Sequence, residues 1–378
     1  MSGALRREIA ANLRFGTGSV VHACKTLMEV YARIEWRSSA GRAATSTTLA
    51  VVLAVLIACA MHLQEIWWAA ISSYMCTRPQ SIQLGLRRIL GTIAGAVLVI
   101  ISIGWLAYDP FACCLALFAV TVAGIIGFNV SPNSYGWLFV SITFSLVLLT
   151  CLLEPESAFF TGVHRIIEVV IGTCTGIAVA KVLPAGPAAA SAVPRGWSDL
   201  LGSGLPITLH AIRSGVTTAL IPIVWSAFAF ELSSASQMAI TATALQATPV
   251  TPDLRETHQQ IVGRGLQRLL GCLVGGVLAL AVLGLSFDFV LSWLIALAGG
   301  VWLFAYVQHG SHDATYVGAQ AGIVFIMTLV QGEGPPTSII PGIDRFAGIS
   351  LGLLMMFVTI FLIGPPSPDS RSAETAQP

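Results

Sequence analysis

Long apolar segments separated by short polar ones recur along the chain. A membrane-spanning helix needs roughly 20 mostly apolar residues, and twelve segments are candidates. They are Ala43–Met61, Ile66–Cys76, Arg88–Tyr108, Phe111–Phe128, Tyr135–Leu153, Val163–Leu183, Ile207–Phe230, Leu232–Ala247, Leu266–Leu285, Phe289–Val307, Thr315–Val330 and Ile340–Gly364. The pattern therefore predicts an all-α polytopic membrane protein with about twelve transmembrane helices.

Two of these segments are shorter than a full span. Ile66–Cys76 and Leu232–Ala247 each follow the preceding segment after one to four residues. Each is either half of a tight hairpin or a broken or re-entrant helix. Broken helices at matching positions in two halves of a chain are typical of a transport site.

An Arg-led motif occurs four times and indicates an internal repeat. The copies are Arg88-x-x-Gly91-x-x-x-Gly95, Arg165-x-x-Glu168-x-x-x-Gly172, Arg268-x-x-Gly271-x-x-x-Gly275 and Arg345-x-x-Gly348-x-x-x-Gly352. Copies one and three lie 180 residues apart, as do copies two and four. We expect two parallel six-helix repeats, residues 43–183 and 207–364, joined by a linker over 184–206. Residues 1–42 form a cytoplasmic segment, and 365–378 a disordered tail.

Composition supports a membrane protein and argues against several other classes. Of 378 residues, 55% are hydrophobic and 10% are charged, whereas soluble domains carry about 25% charged residues. The eight cysteines form no C-x-x-C motif, so neither a disulfide framework nor a metal site is expected. No Walker A motif or catalytic constellation occurs. We predict no enzymatic activity, no cofactor and no nucleic-acid partner.

The basic residues predict the orientation. With a cytoplasmic N-terminus and twelve spans, 17 of the 19 Lys and Arg residues lie inside, as the positive-inside rule requires. The two exceptions are Arg165 and Arg345. Both termini are therefore predicted to be cytoplasmic, in a multi-pass protein of the inner (plasma) membrane.

Two polar stretches lie outside the spans. Val20–Trp36 predicts an amphipathic helix, which either lies on the cytoplasmic leaflet or packs under the bundle. Thr248–Gly263 carries Asp253, Arg255, Glu256 and His258, and we expect an aqueous charged loop there.

The first short segment and the motif after it carry a family resemblance. Ile66-Trp-Trp-Ala-Ala-Ile-Ser-Ser-Tyr-Met-Cys-Thr-Arg-Pro-Gln80, followed by Leu86-Arg-Arg-Ile-Leu-Gly-Thr-Ile-Ala-Gly95, resembles the fusaric acid resistance (FUSC) family of aromatic acid exporters. The second half is similar at Gln267-Arg-Leu-Leu-Gly-Cys-Leu-Val-Gly275. The resemblance implies an inner-membrane exporter of aromatic carboxylic acids driven by the proton gradient. Lipid, protons and an organic acid are then its partners, and a homo-oligomer is left open.

Glu168 is the strongest single candidate for a functional residue. It lies one turn inside an apolar helix, at a motif position that is Gly91, Gly271 or Gly348 in the other copies. A carboxylate within a span is expensive and marks a functional site by default. The alternative is a structural ion pair with Arg165, three residues earlier.

Arginines are the candidates for binding an organic anion. Arg165 and Arg345 could bind a carboxylate through two hydrogen bonds or could pair with nearby acidic residues. Arg88 and Arg268 could capture anions from the cytoplasm or could anchor the helices by the positive-inside rule.

Polar and small residues complete the predicted pathway. Ser73, Gln237 and Gln320 could line it. Trp67 and Trp68 could stack an aromatic substrate or belong to the interfacial aromatic belt. Glycine pairs are predicted to pack helices closely, namely Gly91/Gly95, Gly172/Gly176, Gly271/Gly275 and Gly348/Gly352.

We therefore expect a secondary transporter that exports aromatic or other small organic acids, with proton coupling. A passive organic-anion channel and a non-transporting membrane scaffold remain the alternatives.

Overall fold

The computed structural model describes residues 18, 20–77, 81–184, 205–228, 240, 248–251, 254–285, 289–310, 312–336 and 338–363. Within these ranges the protein is all-helical, with 83% helix and no strand. Most of the predicted linker and of Leu232–Ala247, and the predicted tail, lie outside them. The predicted all-α class is confirmed.

Twelve α-helices follow the N-terminal segment within the described ranges. They are α1 Ser39–Ala60, α2 Ile66–Met75, α3 Ser81–Leu106, α4 Pro110–Val130, α5 Ser134–Thr150, α6 Ala158–Val182, α7 Leu205–Ala219, α8 Ile221–Phe228, α9 Leu254–Leu283, α10 Val290–Gln308, α11 Thr315–Leu329 and α12 Ile340–Leu362. A 3₁₀ turn, Pro155–Ser157, precedes α6.

Eight helical stretches in the described ranges are long and apolar enough to cross a membrane. Two further apolar helices, α5 and α11, have 17 and 15 residues. The predicted short second helix is α2, which has only 10 residues and is about 15 Å long, half of a bilayer's hydrocarbon core. Eight of the twelve predicted spans thus reach full length on their own.

One predicted boundary was wrong. The charged loop expected over Thr248–Gly263 is helical from Leu254 onward, since its Glu and Gln residues favour helix. The seventh predicted span corresponds to the candidate span Pro206–Phe228, which is interrupted at Leu220 between α7 and α8. Pro222 explains this break, because it lacks the N–H that would bond to the Thr218 carbonyl.

Glycines bring α3 close to α5 and α9 close to α11. A Cβ added at Gly91 would clash with the Gly136 carbonyl oxygen, and one at Gly95 would lie 2.6 Å from that of Val140, so α3 packs on the backbone of α5. In the second half, a Cβ on Gly271 would lie 2.7 Å from the Val317 oxygen, so α9 packs on α11 in the same way.

Helices from the two halves of the chain also pack against each other. Helix α1 packs against α10, and α7 packs against α4. The first helix of each half therefore meets the fourth helix of the other. Gly348 and Gly352 are buried on α12.

Helix α2 occupies the centre of the bundle. All of its residues from Ile66 to Tyr74 are buried, and it contacts α1, α6 and α11. Gly172 on α6 meets the carbonyl of Ala69, and a Cβ on Gly176 would lie 2.9 Å from the Ser73 oxygen. A half-length helix buried on all sides ends its backbone inside the protein, where polar groups must satisfy it.

The N-terminal segment packs under the bundle. Residues 20–32 are helical, and Ala23 and Leu27 pack against Val307, Ala314 and Val317. The segment continues to Trp36, which stacks on Trp302 with ring centroids 4.2 Å apart. The segment was predicted either to lie on the cytoplasmic leaflet or to pack under the bundle, and in the structure it packs under the bundle.

Candidate functional site

Glu168 of α6 lies beside the beginning of α2. Its side chain is buried, and its Oε1 accepts a hydrogen bond of 2.8 Å from the backbone N–H of Glu65. Glu65 is the residue before α2 and makes no side-chain capping bond itself. A carboxylate at a helix N-terminus is favoured by the positive end of the helix dipole. Glu168 thus supplies from another helix the acceptor that the start of α2 lacks.

Arg165 lies one turn before Glu168 and is 2% exposed. Its guanidinium carbon lies 3.1 Å from the centroid of a Trp68 ring, a cation–π contact between α6 and α2. None of its three guanidinium nitrogens has a hydrogen-bond partner among the described residues. Among the described residues, no salt bridge joins Arg165 to Glu168.

Arg88 of α3 approaches α2 from another side. It donates to the Ser72 hydroxyl at 3.0 Å and to the Tyr135 hydroxyl at 3.3 Å, and its guanidinium lies 4.3 Å from the Phe139 ring centroid. The side chain is 2% exposed. It is therefore buried between helices, unlike a side chain that anchors a helix at lipid headgroups.

Charges of both signs surround α2. Arg88 and Arg165 contact α2 through Ser72 and Trp68, and Glu168 meets Glu65 at the beginning of this helix. Two cations and two acids thus lie about one buried half-length helix. Arg88, Arg165 and Glu168 are buried, whereas Glu65 is exposed, so the three buried charges interact far more strongly than they would in water.

Aromatic and hydroxyl groups line the same helix. Trp67 and Trp68 are buried, with ring centroids 3.9 Å apart, and the Trp67 indole N–H donates to the Glu65 carboxylate. Their burial argues against the interfacial aromatic belt. Ser73 is buried, and its hydroxyl has no hydrogen-bond partner among the described residues. Tyr74 donates to the Gly318 carbonyl at 3.2 Å and so joins α2 to the second half.

Three of the remaining predicted site residues lie on α9, α11 and α12. Arg268 is buried on α9. Gln320 lies on α11 and packs over Gly271 of α9. Arg345 belongs to α12, and Gln237 lies outside the described residues. The structure therefore brings Glu168, Arg165, Arg88 and Ser73 together around α2.

Several contacts within this site were not predicted. Ser72 and Tyr135, which bind Arg88, and Glu65, which Glu168 caps, carried no signal that linked them to those partners. The contacts join separate helices, and a single sequence gives no measure of which helices meet. The buried position of Trp68 had one local sign, an apolar run too short to cross the membrane.

A bundle of apolar helices around a buried, charged half-helix defines a multi-pass membrane protein. The sequence profile of the Fusaric acid resistance protein family matches residues 44–202, the first six-helix block and most of the linker. The resemblance to this family is confirmed over that range. No curated protein and no solved structure matches the chain.

Proposed function

We propose that the protein is a secondary transporter of the inner membrane that exports small organic acids, aromatic acids among them, and couples export to protons through Glu168. The observation that carries this proposal is the buried Arg165 guanidinium, which has no hydrogen-bond acceptor among the described residues. The family match supports transport as the broader activity.

The geometry of Arg165 favours a carboxylate as its ligand. Trp68 covers one face of the guanidinium, which leaves the N–H groups at its edge to donate. A carboxylate accepts two parallel hydrogen bonds from that edge. Removing a charge from water without pairing it costs several kcal/mol, so an anion that completes this site gains a correspondingly strong interaction.

The indole pair supports an aromatic acid. Trp67 and Trp68 lie side by side next to the cation. Aromatic rings in offset or edge-to-face contact gain about 0.5–1.5 kcal/mol beyond their buried area. A substrate with a planar ring and one carboxylate matches both features.

The position of α2 supports a path between two related halves. Tyr74 binds the Gly318 carbonyl of α11, so a helix of the first block lies against the second. The matched packing of α3 on α5 and of α9 on α11 favours the two six-helix repeats, 43–183 and 207–364. In this proposal the halves move relative to one another about α2, and both termini lie in the cytoplasm.

Purified protein in liposomes tests the proposal. The vesicles are loaded with radiolabelled aromatic carboxylates, or with their uncharged primary amides as matched controls, and efflux is followed with and without a pH difference. We expect saturable efflux of carboxylates alone, accelerated when the acceptor side is acidic. An efflux rate that does not change with the proton gradient would favour a passive organic-anion channel. The absence of carboxylate efflux would favour a non-transporting membrane scaffold.

A further inference from the structure

A long groove lies between α3 and α5 on the outer surface of the first block. Its volume is about 780 Å³, and its walls include Leu90, Ala94, Leu98 and Val140. Gly91 and Gly136 lie along it, so no side chains fill its floor there. Leu90 and Leu98 are about half exposed, which places this apolar surface where the protein meets the hydrocarbon of the bilayer.

One end of the groove is polar and carries a positive charge. Gln83, Arg87 and Asn133 line that end. Arg87 makes no hydrogen bond or ion pair with any residue that the structure describes. The Asn133 side chain makes no capping bond to α5. The groove therefore combines an apolar channel with a cation and amide donors at one end.

The dimensions match one leaflet of a membrane. From Arg87 to Leu98 the helix rises by about 16 Å, and half of a hydrocarbon core is about 15 Å thick. Helical side chains tilt toward the N-terminus, so the Arg87 guanidinium reaches back toward Gln83, at the membrane surface. Long arginine side chains reach lipid headgroups in this manner.

We infer that this groove binds an anionic glycerophospholipid, with one acyl chain along Gly91 and Ala94 and the phosphate at Arg87. Charge complementarity selects this occupant. A guanidinium binds phosphate oxygens through two hydrogen bonds, and Gln83 and Asn133 can donate to the remaining oxygens. This binding site is separate from the Arg165 site and does not depend on the proposed transport activity.

The second half provides a built-in comparison. The residue 180 positions after Arg87 is Gln267. The second half therefore carries an uncharged amide at the equivalent position, so Arg87→Gln is a substitution that the same fold already accommodates.

Lipid retention by the intact protein tests the inference. The protein is purified from nanodiscs that contain equal amounts of phosphatidylglycerol and phosphatidylcholine with identical acyl chains, and bound lipid is counted by native mass spectrometry. We expect wild type to retain phosphatidylglycerol about five-fold more than phosphatidylcholine, the preference that one cation near the surface supplies. Arg87→Gln should remove this preference. The exposed Arg264 on α9 is the matched control, and Arg264→Gln should leave the preference unchanged.

A second pair of variants tests the apolar part. Ala94→Phe fills the groove and should abolish retention of both lipids, whereas Ile101→Phe, on a lipid-facing position of α3 outside the groove, should not. Equal retention of the two lipids by wild type, or an equal loss in Arg264→Gln, would overturn the inference. So would a change in oligomeric state with Ala94→Phe, since it would show that a second copy of the chain covers this surface.

Discussion

The guanidinium of Arg165 lies directly over a ring of Trp68, with 3.1 Å between its carbon and the ring centroid. This contact joins the long helix α6 to the buried half-helix α2. A cation–π contact in a desolvated position contributes about 2 kcal/mol. It holds one face of the cation in place while its hydrogen-bonding edge stays available.

Arg165→Lys should weaken substrate binding more than it weakens the fold. Lysine keeps the charge but cannot make the two parallel hydrogen bonds of a guanidinium. We expect the half-saturating concentration of an aromatic carboxylate to rise about tenfold, since a hydrogen bond to a charged group is worth about 1.5–3 kcal/mol. Binding to the purified protein measures this effect, and thermal unfolding checks the fold. An unchanged half-saturating concentration would show that the substrate carboxylate binds elsewhere.

The sequence predicted which segments are helices better than it predicted how they meet. Apolar runs bounded by polar residues are local signals, so the short Ile66–Cys76 segment was recognised. The break between α7 and α8 was not predicted, although Pro222 is a local signal for it because proline cannot donate a backbone hydrogen bond. The early start of α9 at Leu254 was missed because its first residues are polar and resemble a loop.

The site was predicted as single residues and not as an arrangement. Glu168 was singled out because a carboxylate interrupts an apolar helix, and that signal lies within one segment. Its bond to Glu65, and those of Arg88 to Ser72 and Tyr135, depend on contacts between helices. Such contacts follow from side-chain packing over the whole bundle, for which one sequence holds no local pattern.

Substitutions at the contact glycines should depend on what each glycine faces. Gly91→Leu and Gly271→Leu would drive side chains into backbone carbonyls, and overpacking of this kind costs about 1–3 kcal/mol or more. We expect a several-fold loss of monodisperse protein in size-exclusion chromatography. Gly104→Leu and Gly299→Leu are matched controls in the same blocks, because nothing lies within 4 Å of a Cβ at either position. Equal yields for all four variants would contradict the packing.

Reporter fusions should find the linker and the C-terminus on the cytoplasmic side. The reason is the distribution of Lys and Arg, of which 17 of 19 fall on one side in a twelve-span arrangement. Green fluorescent protein fused after Pro378, or within 184–206, should fluoresce, and alkaline phosphatase at the same places should be inactive. A phosphatase fusion after Glu156 should be active and serves as the control. An active phosphatase in the linker would rule out six crossings in the first half.

Glu168→Gln should separate the structural role of Glu168 from its proposed role in proton coupling. The amide oxygen of glutamine can accept the same hydrogen bond from the Glu65 N–H, so α2 should keep its position and the unfolding temperature should stay near that of wild type. Glutamine cannot bind and release a proton near neutral pH. Efflux driven by a proton gradient should therefore be lost, while exchange of substrate across the liposome membrane without a gradient should survive. Glu156→Gln, at an exposed acid just before α6, is the matched control and should transport normally. Uphill transport by Glu168→Gln at the normal rate would show that Glu168 only caps α2 and that the proton binds at another residue.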